Sequence, residues 1–287
     1  MTVFEIVKYR KYTYPQNIPL RTAEISAHFD IKKIECSLNC SLHTEYSYGK
    51  RKLDSSLISK YTELTSANKN NIPQLWKNEL WALQFADFIS ELISENKNLS
   101  VIEIHPPFND YSDINKFINI YSAFEYKIKS VYPNTDIFIE NRCGSIYRGG
   151  KFVISKLQDL FSLCEYIVNK NLSLKIAYDV PQIYTAHNAA ALNDYLSLLE
   201  ETKSINNFIG SVHLWGKRLS KTGRKVAHCG DLNSYFGDIS VKNEFLSAFK
   251  ECFNDDSKRK MVLEVNSGES DLLSIIKDLQ NTGIIFI

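Results

Sequence analysis

Apolar residues in this chain gather in short runs, and five of those runs deliver a polar side chain at one end. Ile137-Phe138-Ile139 leads into Glu140 and the turn Asn141-Arg142-Cys143-Gly144. Val101 to Ile104 ends at His105, and Leu174 to Tyr178 ends at Asp179. Ile209 to Val212 ends at His213, and Met261-Val262-Leu263 ends at Glu264. A short apolar run closed by a polar or glycine-containing turn reads as a buried strand. Between the runs the apolar spacing turns helical. Trp76, Leu80, Leu83, Ile89 and Leu92 form one stripe, and Ile114, Phe117, Ile118, Tyr121, Phe124 and Ile128 form another, with Asp113 placed to cap it. Further helices are expected over about 152–168, 189–202, 241–253 and 271–279.

Strands are expected near residues 5, 34, 103, 138, 176, 211, 262 and 285. Alternation with helices implies parallel pairing through right-handed crossovers. His105 to Glu140, Glu140 to Asp179 and Asp179 to His213 span 35, 39 and 34 residues, the repeat of strand–helix units. Eight such units close into a (β/α)8 TIM barrel, whose chemistry lies at the carboxyl ends of its strands. The barrel is expected to be one domain over 1–287, with a loop insertion near 44–75, where polar residues show no clear period. A doubly wound open sheet is the alternative, but no glycine-rich phosphate fingerprint follows an early strand.

Composition narrows the class. The formal net charge of +1 gives no global pull toward nucleic acid or membrane. No apolar run reaches the roughly 20 residues of a membrane span, and Met1 to Lys11 carries charges within its apolar residues, unlike a signal peptide. Six cysteines are too sparse for a disulfide scaffold, so a reduced, cytoplasmic protein is expected. Cys36 and Cys40 lack a second pair at zinc-knuckle spacing.

Barrel strand ends converge on one axis, so His105, Glu140, Asp179, His213 and Glu264 are expected to face one another. Imidazole and carboxylate together suit zinc, manganese or iron. Singly, each is more often a cap or a local ion pair. Together, several buried carboxylates are costly without a cation.

The segment Glu140-Asn141-Arg142-Cys143-Gly144, followed by Gly149, Gly150 and Phe152, resembles the E-N-x-x-G...G-x-x-F segment of the endonuclease IV family. Those proteins are zinc-dependent abasic-site nucleases with a xylose-isomerase-like barrel. His105-Pro106 is similar to the family's H-P turn, and His213-Leu214 with His228 matches the spacing of its two later histidines. Glu264 resembles its final acidic ligand. The likeness runs over scattered motifs from about 101 to 265. It implies one or two divalent ions, zinc foremost, on ligands drawn from His105, Glu140, Asp179, His213, His228 and Glu264, with His43 a further candidate. Two family ligands are missing: Gln182 stands where a histidine is expected and Val226 where an aspartate is expected. The four that carry over cleanly, Glu140, Asp179, His213 and Glu264, also resemble the single-metal site of sugar isomerases and ketose epimerases that share this barrel. The short amino-terminal region admits a circularly permuted order, in which 284–287 would lie between the strands at 261–264 and 3–7.

Lys217, Arg218, Lys221, Arg224 and Lys225 follow His213, and Arg142, Arg148 and Lys151 follow Glu140. Such cations beside a metal suit a phosphate-containing substrate, DNA among the candidates. They equally suit a solvated loop paired with Asp231 and Asp238. Trp215, Tyr147, Tyr184 and Tyr235 are stacking or packing candidates. Three functions follow. The first is a metal-dependent phosphoesterase or nuclease, with Glu140, Glu264 and His105 at the chemistry and Arg142, Lys217, Arg218, Arg224 and Trp215 on the substrate. The second is a single-metal sugar or sugar-phosphate isomerase. The third is a non-catalytic binding barrel.

Overall fold

A computed structural model describes residues 1–48, 51–93, 98–145 and 150–287. Tyr147, Arg148 and Gly149 of the turn after Glu140 lie outside the described residues. Eight parallel strands close into a barrel: β1 Val3–Lys8, β2 Thr22–Ala27, β3 Asn39–Thr44, β4 Leu99–Ile104, β5 Asp136–Glu140, β6 Lys175–Asp179, β7 Ile209–Leu214 and β8 Lys258–Leu263. Closure is direct, with Val3 to Val7 of β1 paired to Lys258 to Val262 of β8.

The last five strands fall where the apolar runs predict them. The strand expected near residue 5 is β1, but the region after it differs. Ile31 to Cys36 is not a strand; Ile34 is buried and its N–H donates to Leu92 O at 3.0 Å, tying a loop to the helix Glu79–Leu92. The strands in that region are β2 and β3, whose sequences Thr-Ala-Glu-Ile-Ser-Ala and Asn-Cys-Ser-Leu-His-Thr each hold a single large aliphatic residue. Their polar character suits a barrel wall that carries ionisable side chains. The terminal strand Ile285–Phe286 is real but short, and it pairs with Val3 and Phe4. Since β1 and β8 already pair with each other, the tail does not stand between them, as a permuted order requires.

Three helices begin later than expected, at Glu79, Leu157 and Leu192, one begins at Ile114 as expected, and two begin earlier, at Ile239 and Glu269. Asn78 caps Glu79–Leu92 by accepting from Trp81 N at 2.8 Å, and Asp113 caps Ile114–Val131 by accepting from Lys116 N at 2.8 Å. The others are Leu157–Lys170, Leu192–Thr202, Ile239–Cys252 and Glu269–Asn281. The expected insertion is not bare loop: it holds short helices at Ser55–Lys60 and Thr62–Ser66 and a small hairpin, Asn68–Lys69 with Ile72–Pro73. It ends at Trp76, buried in a positive-φ conformation (φ 58°), where a bulky side chain is strained. There the Trp76 ring packs among Trp81, Phe85, Phe117 and Phe124, and its indole N–H donates to His105 O at 2.7 Å. Outer packing thus reaches the backbone of a site residue.

Inside the barrel, Val101, Phe138 and Ala177 form a small buried apolar cluster. Each lies two residues before Glu103, Glu140 or Asp179, so the strand period puts those acids on the same face, one layer higher. Gly210 completes the lower layer by necessity: a Cβ there would lie 2.5 Å from the Phe138 ring. An apolar plug therefore supports a polar floor.

All six cysteines are free. No helix among the described residues is long and apolar enough to cross a membrane.

Candidate metal centre

The polar floor opens at the carboxyl ends of the strands into a cavity of about 470 Å³. Its lining includes His43, Glu140, Arg142, Gln182, Trp215 and His228, and Glu264 also borders it. His105, Asp179 and His213 lie beneath the lining and are buried. All the strand-end residues predicted from the sequence therefore meet in one place.

Two groups there have metal-ligand character. In each, three ligand atoms lie within 4.8 Å of one another: His43, His105 and Glu140 in one, and Glu140, Asp179 and His213 in the other. Glu140 belongs to both. The first group draws on three adjacent strands. His43 lies inside β3, in register with Glu103 of β4, rather than beyond a second strand. His105 follows β4, and Glu140 ends β5. The two Nε2 atoms are 3.5 Å (His43) and 2.8 Å (His105) from the same Oε2 of Glu140. Ligands on zinc bonds of about 2.0–2.1 Å are separated by roughly 3.3 Å at a tetrahedral angle, so this nitrogen–nitrogen–oxygen set needs little movement to close on an ion. The rings support one another: His43 and His105 are edge-to-face at 4.7 Å, and Tyr46 lies 4.8 Å from His105.

Charge at this group is borne by protons. Burial drives the His105 imidazole down to about 3, leaving it neutral at physiological pH. Despite the same burial penalty, His43 is pushed up to about 10 by its hydrogen bond to Glu140 and the nearby carboxylates of Glu24, Glu103 and Glu140. Glu140 is held well below the usual carboxylate range, against burial, by Arg142 and by its bonds to His105 and His43. Arg142 donates from one Nη1 to both Glu140 oxygens, at 2.9 and 3.0 Å, and its guanidinium lies 4.5 Å from the Tyr46 ring. A raised His43 meets Glu140 as a protonated imidazole at physiological pH. Buried His105 Nδ1, the ring nitrogen opposite the one that meets Glu140, has no hydrogen-bond partner, and the same is true of His213 Nδ1 and His228 Nδ1 across the floor. The donor set fits a metal ion, whose binding would displace the His43 proton.

The second group is differently committed. Asp179 is the N-cap of a short helix, Val180–Ala186, accepting from Gln182 N at 2.9 Å. Its oxygens also accept from Trp215 Nε1 at 3.1 and 3.0 Å and from Gln182 Nε2 at 2.8 Å. Burial, with Glu264 and Glu140 nearby, pushes Asp179 up to about 7. His213 lies between two acids, with Nε2 3.0 Å from Glu103 Oε2 and Nδ1 3.5 Å from Glu264 Oε1. Although its burial opposes charge, these acids raise His213 well above the ordinary histidine value. His228, at a positive φ of 56°, brings Nδ1 to 3.2 Å from the other Glu264 oxygen. Glu264 is held low by His228 and His213 in spite of burial. Glu103 joins the site without a strand-end signal in the sequence, because it lies inside β4 rather than at its end, two positions before His105. Asn141, of the turn after Glu140, holds the floor together. Its side chain exchanges hydrogen bonds with the Asp179 backbone at 2.9 and 3.1 Å, lacing β5 to β6.

The basic loop after His213 contains a two-stranded hairpin, Lys217–Leu219 with Lys225–Ala227. Cross-strand partners share a face. Lys217 pairs with Ala227 and Leu219 with Lys225, and Lys217, Lys225 and Ala227 line the cavity. Arg218 and Val226 share the opposite face, where Arg218 Nη1 lies 3.7 Å from Asp271. Arg218 and Arg224 are absent from the cavity lining. Lys225 takes their place at the rim, because strand alternation turns Arg218 away. Trp215 lines the cavity with its ring 4.3 Å from His228, and Lys217 Nζ stands 5.9 Å from Trp215 and 5.5 Å from Tyr235. Tyr184 is buried packing against Tyr195, and His187 Nε2 accepts from Leu157 N at 3.1 Å.

No family model matches the chain, and no curated protein matches it by sequence. Similar solved structures are barrels of low identity. An AP endonuclease, family 2, from Brucella melitensis shares 10% identity over 95% of this chain and 97% of its own, with a TM-score of 0.47. The cellulose synthase subunit Z of Clostridioides difficile shares 11% over 97% and 99%, with a TM-score of 0.48. A family 1 β-glucosidase from Thermotoga maritima shares 9% over 86% and 74%, with a TM-score of 0.43. The chain is a closed, eight-stranded parallel barrel of TIM type, with a candidate metal-ligand cluster at the carboxyl ends of its strands.

Proposed function

We propose that this protein is a divalent-metal-dependent enzyme acting on a phosphate-containing substrate, with phosphoester hydrolysis as its reaction. The observation that carries the reading is the joining of one nitrogen–nitrogen–oxygen cluster to one cationic rim. His43, His105 and Glu140 form the cluster at the cavity floor, and Lys217 and Lys225 stand at the rim. His43, His105 and Glu140 would hold the ion, zinc first, with manganese and iron as alternatives. An ion so held supplies Lewis-acid polarisation and acidifies water. Lys217 and Lys225 receive the phosphate as point charges, and Arg142 keeps Glu140 ionised and aimed at the two histidines. Trp215 offers a flat face beside them. His228 is raised above the ordinary histidine value, against burial, by Glu264, which favours its protonated form at the cavity wall and suits it to protonate a leaving oxygen.

A cavity of about 470 Å³ admits a phosphorylated sugar or a single splayed nucleotide more readily than a duplex. Proton transfer beside a substrate carbonyl, as in a sugar-phosphate isomerase, is the second reading. It is favoured by Glu264 and His228, a carboxylate and an imidazole 3.2 Å apart at the cavity wall. A single assay panel separates the two. Protein loaded with zinc or manganese is offered abasic-site duplex DNA, phosphomonoesters and phosphodiesters, and phosphorylated aldoses and ketoses, with a chelator control. Chelator-sensitive release of phosphate or strand cleavage supports hydrolysis. Aldose–ketose conversion without phosphate release supports isomerisation. Inertness toward every substrate, with the ion bound, contradicts both.

A further inference from the structure

Glu140 belongs to both ligand groups, yet the two are not equally open. Gln182, itself buried, donates from one Nε2 to Asp179 Oδ2 at 2.8 Å and to Oε1 of Glu140. The amide nitrogen therefore lies between the two carboxylates of the second group, where an ion shared by them would have to lie. An NH2 group has two hydrogens and no lone pair for a metal, so it satisfies both acids while refusing a cation. It is fixed from behind, because Gln182 N is also bound to Asp179 Oδ1 as part of the helix cap. Asp179 is further occupied by the Trp215 indole, and His213 is taken at Nε2 by Glu103. In the first group His43 Nε2 and His105 Nε2 converge on Oε2, the Glu140 oxygen that Gln182 does not touch; Arg142 Nη1 also donates to it at 3.0 Å, but binds Glu140 alone rather than joining two ligand residues as Gln182 does.

We propose that Gln182 is a neutral wedge that closes the Glu140–Asp179–His213 position, so that the barrel takes one divalent ion at His43–His105–Glu140 and no second one beside it. This rests on the metal reading above and adds stoichiometry and the residue that sets it. Asp179 becomes part of the scaffold, and Gln182 a positioning residue that keeps Glu140 Oε2 turned toward the histidines.

The test is a cobalt(II) titration of chelator-stripped, full-length protein, followed by visible absorption and by native mass after desalting. Wild type is expected to saturate at one equivalent. Gln182→Glu keeps the shape but replaces two donor hydrogens with a ligand, and is expected to saturate at two. Adding His105→Ala to Gln182→Glu should remove one equivalent and leave one. Gln182→Ala, which withdraws the wedge without adding charge, serves if the glutamate variant does not fold, with the same expectation of a second equivalent. Two equivalents in wild type overturn the wedge while leaving the metal reading intact. One equivalent in a folded Gln182 variant does the same. No cobalt in wild type or variants overturns the metal reading itself, and the wedge with it.

Discussion

The two sides of the barrel floor hold the same kinds of residue and use them differently. On β3 to β5, His43, His105 and Glu140 point ligand atoms at one spot, and charge balance there depends on a proton on His43. On β6 to β8, Asp179 is bonded to Gln182 and Trp215 and His213 Nε2 to Glu103, while His213 Nδ1 and His228 Nδ1 stand beside Glu264 at 3.5 and 3.2 Å without a hydrogen bond. Metal-capable side chains at strand ends are thus insufficient to define a metal site. What separates the sides is the kind of donor between the ligands: the imidazolium proton of His43 can be displaced by an ion, whereas the amide hydrogens of Gln182 cannot. On that view one side is a site and the other is its support.

Substitution at His105 should break this contrast most severely. His105→Ala is expected to abolish ion binding and lower kcat/KM roughly 1000-fold, about 4 kcal/mol of transition-state stabilisation. Ion analysis of the purified variant beside steady-state kinetics checks it, and an unchanged ion content would place the site elsewhere. On the supporting side, Trp215→Phe removes the indole donor from buried Asp179. It should cost about 1–3 kcal/mol of folding stability in a denaturant titration while leaving ion content unchanged. Loss of the ion in that variant would erase the distinction between the sides.

The rim offers a comparison of its own. Lys217→Ala combined with Lys225→Ala should raise KM for a phosphorylated substrate by about 10-fold or more, the scale of a lost charged hydrogen bond. Arg218→Ala combined with Arg224→Ala should leave KM within about 2-fold. Equal effects from the two pairs would refute the assignment of faces in the hairpin.

A pH-dependent effect on stability concerns Glu24, which feels both sides, since His43, Glu103, Glu264 and His213 all act on it. Burial chiefly, with the neighbouring acids, pushes it up to about 8. The folded state therefore keeps a proton that the unfolded chain releases near pH 4.3. Between there and pH 8 this group makes folding less favourable as pH rises. Glu24→Gln should flatten that slope, gaining roughly 2 kcal/mol relative to wild type at pH 8 over pH 5, a linkage figure discounted for partial exposure. Parallel pH dependences of unfolding in the two proteins would show that Glu24 does not titrate in this window.

Much of this was legible in the sequence because β4 to β8 are written in apolar residues, with their functional side chains at the ends. Glu140, Asp179, His213 and Glu264 were found that way, and the structure brings them together. The first half was less legible for a physical reason. Thr22–Ala27 and Asn39–Thr44 carry Glu24, Ser41 and His43 within the strands, so polar residues interrupt the run that marks a strand. The more apolar Ile31 to Cys36, a loop, drew the assignment instead. Glu103 escaped notice because it interrupts β4 from within. Arg218 and Lys225 exchanged places at the rim because a hairpin's faces depend on register, which charge alone does not reveal. Gln182 was visible only as a missing histidine. Its donation to two acids required the geometry.

The central claim is that one side of the floor holds the ion and the other does not. A crystal of the zinc-loaded protein, with anomalous differences measured at the zinc edge, tests it most directly. The account predicts one peak per chain, bounded by His43 Nε2, His105 Nε2 and Glu140 Oε2. A peak among Asp179, His213, Glu264 and His228 instead, or peaks on both sides, would contradict it.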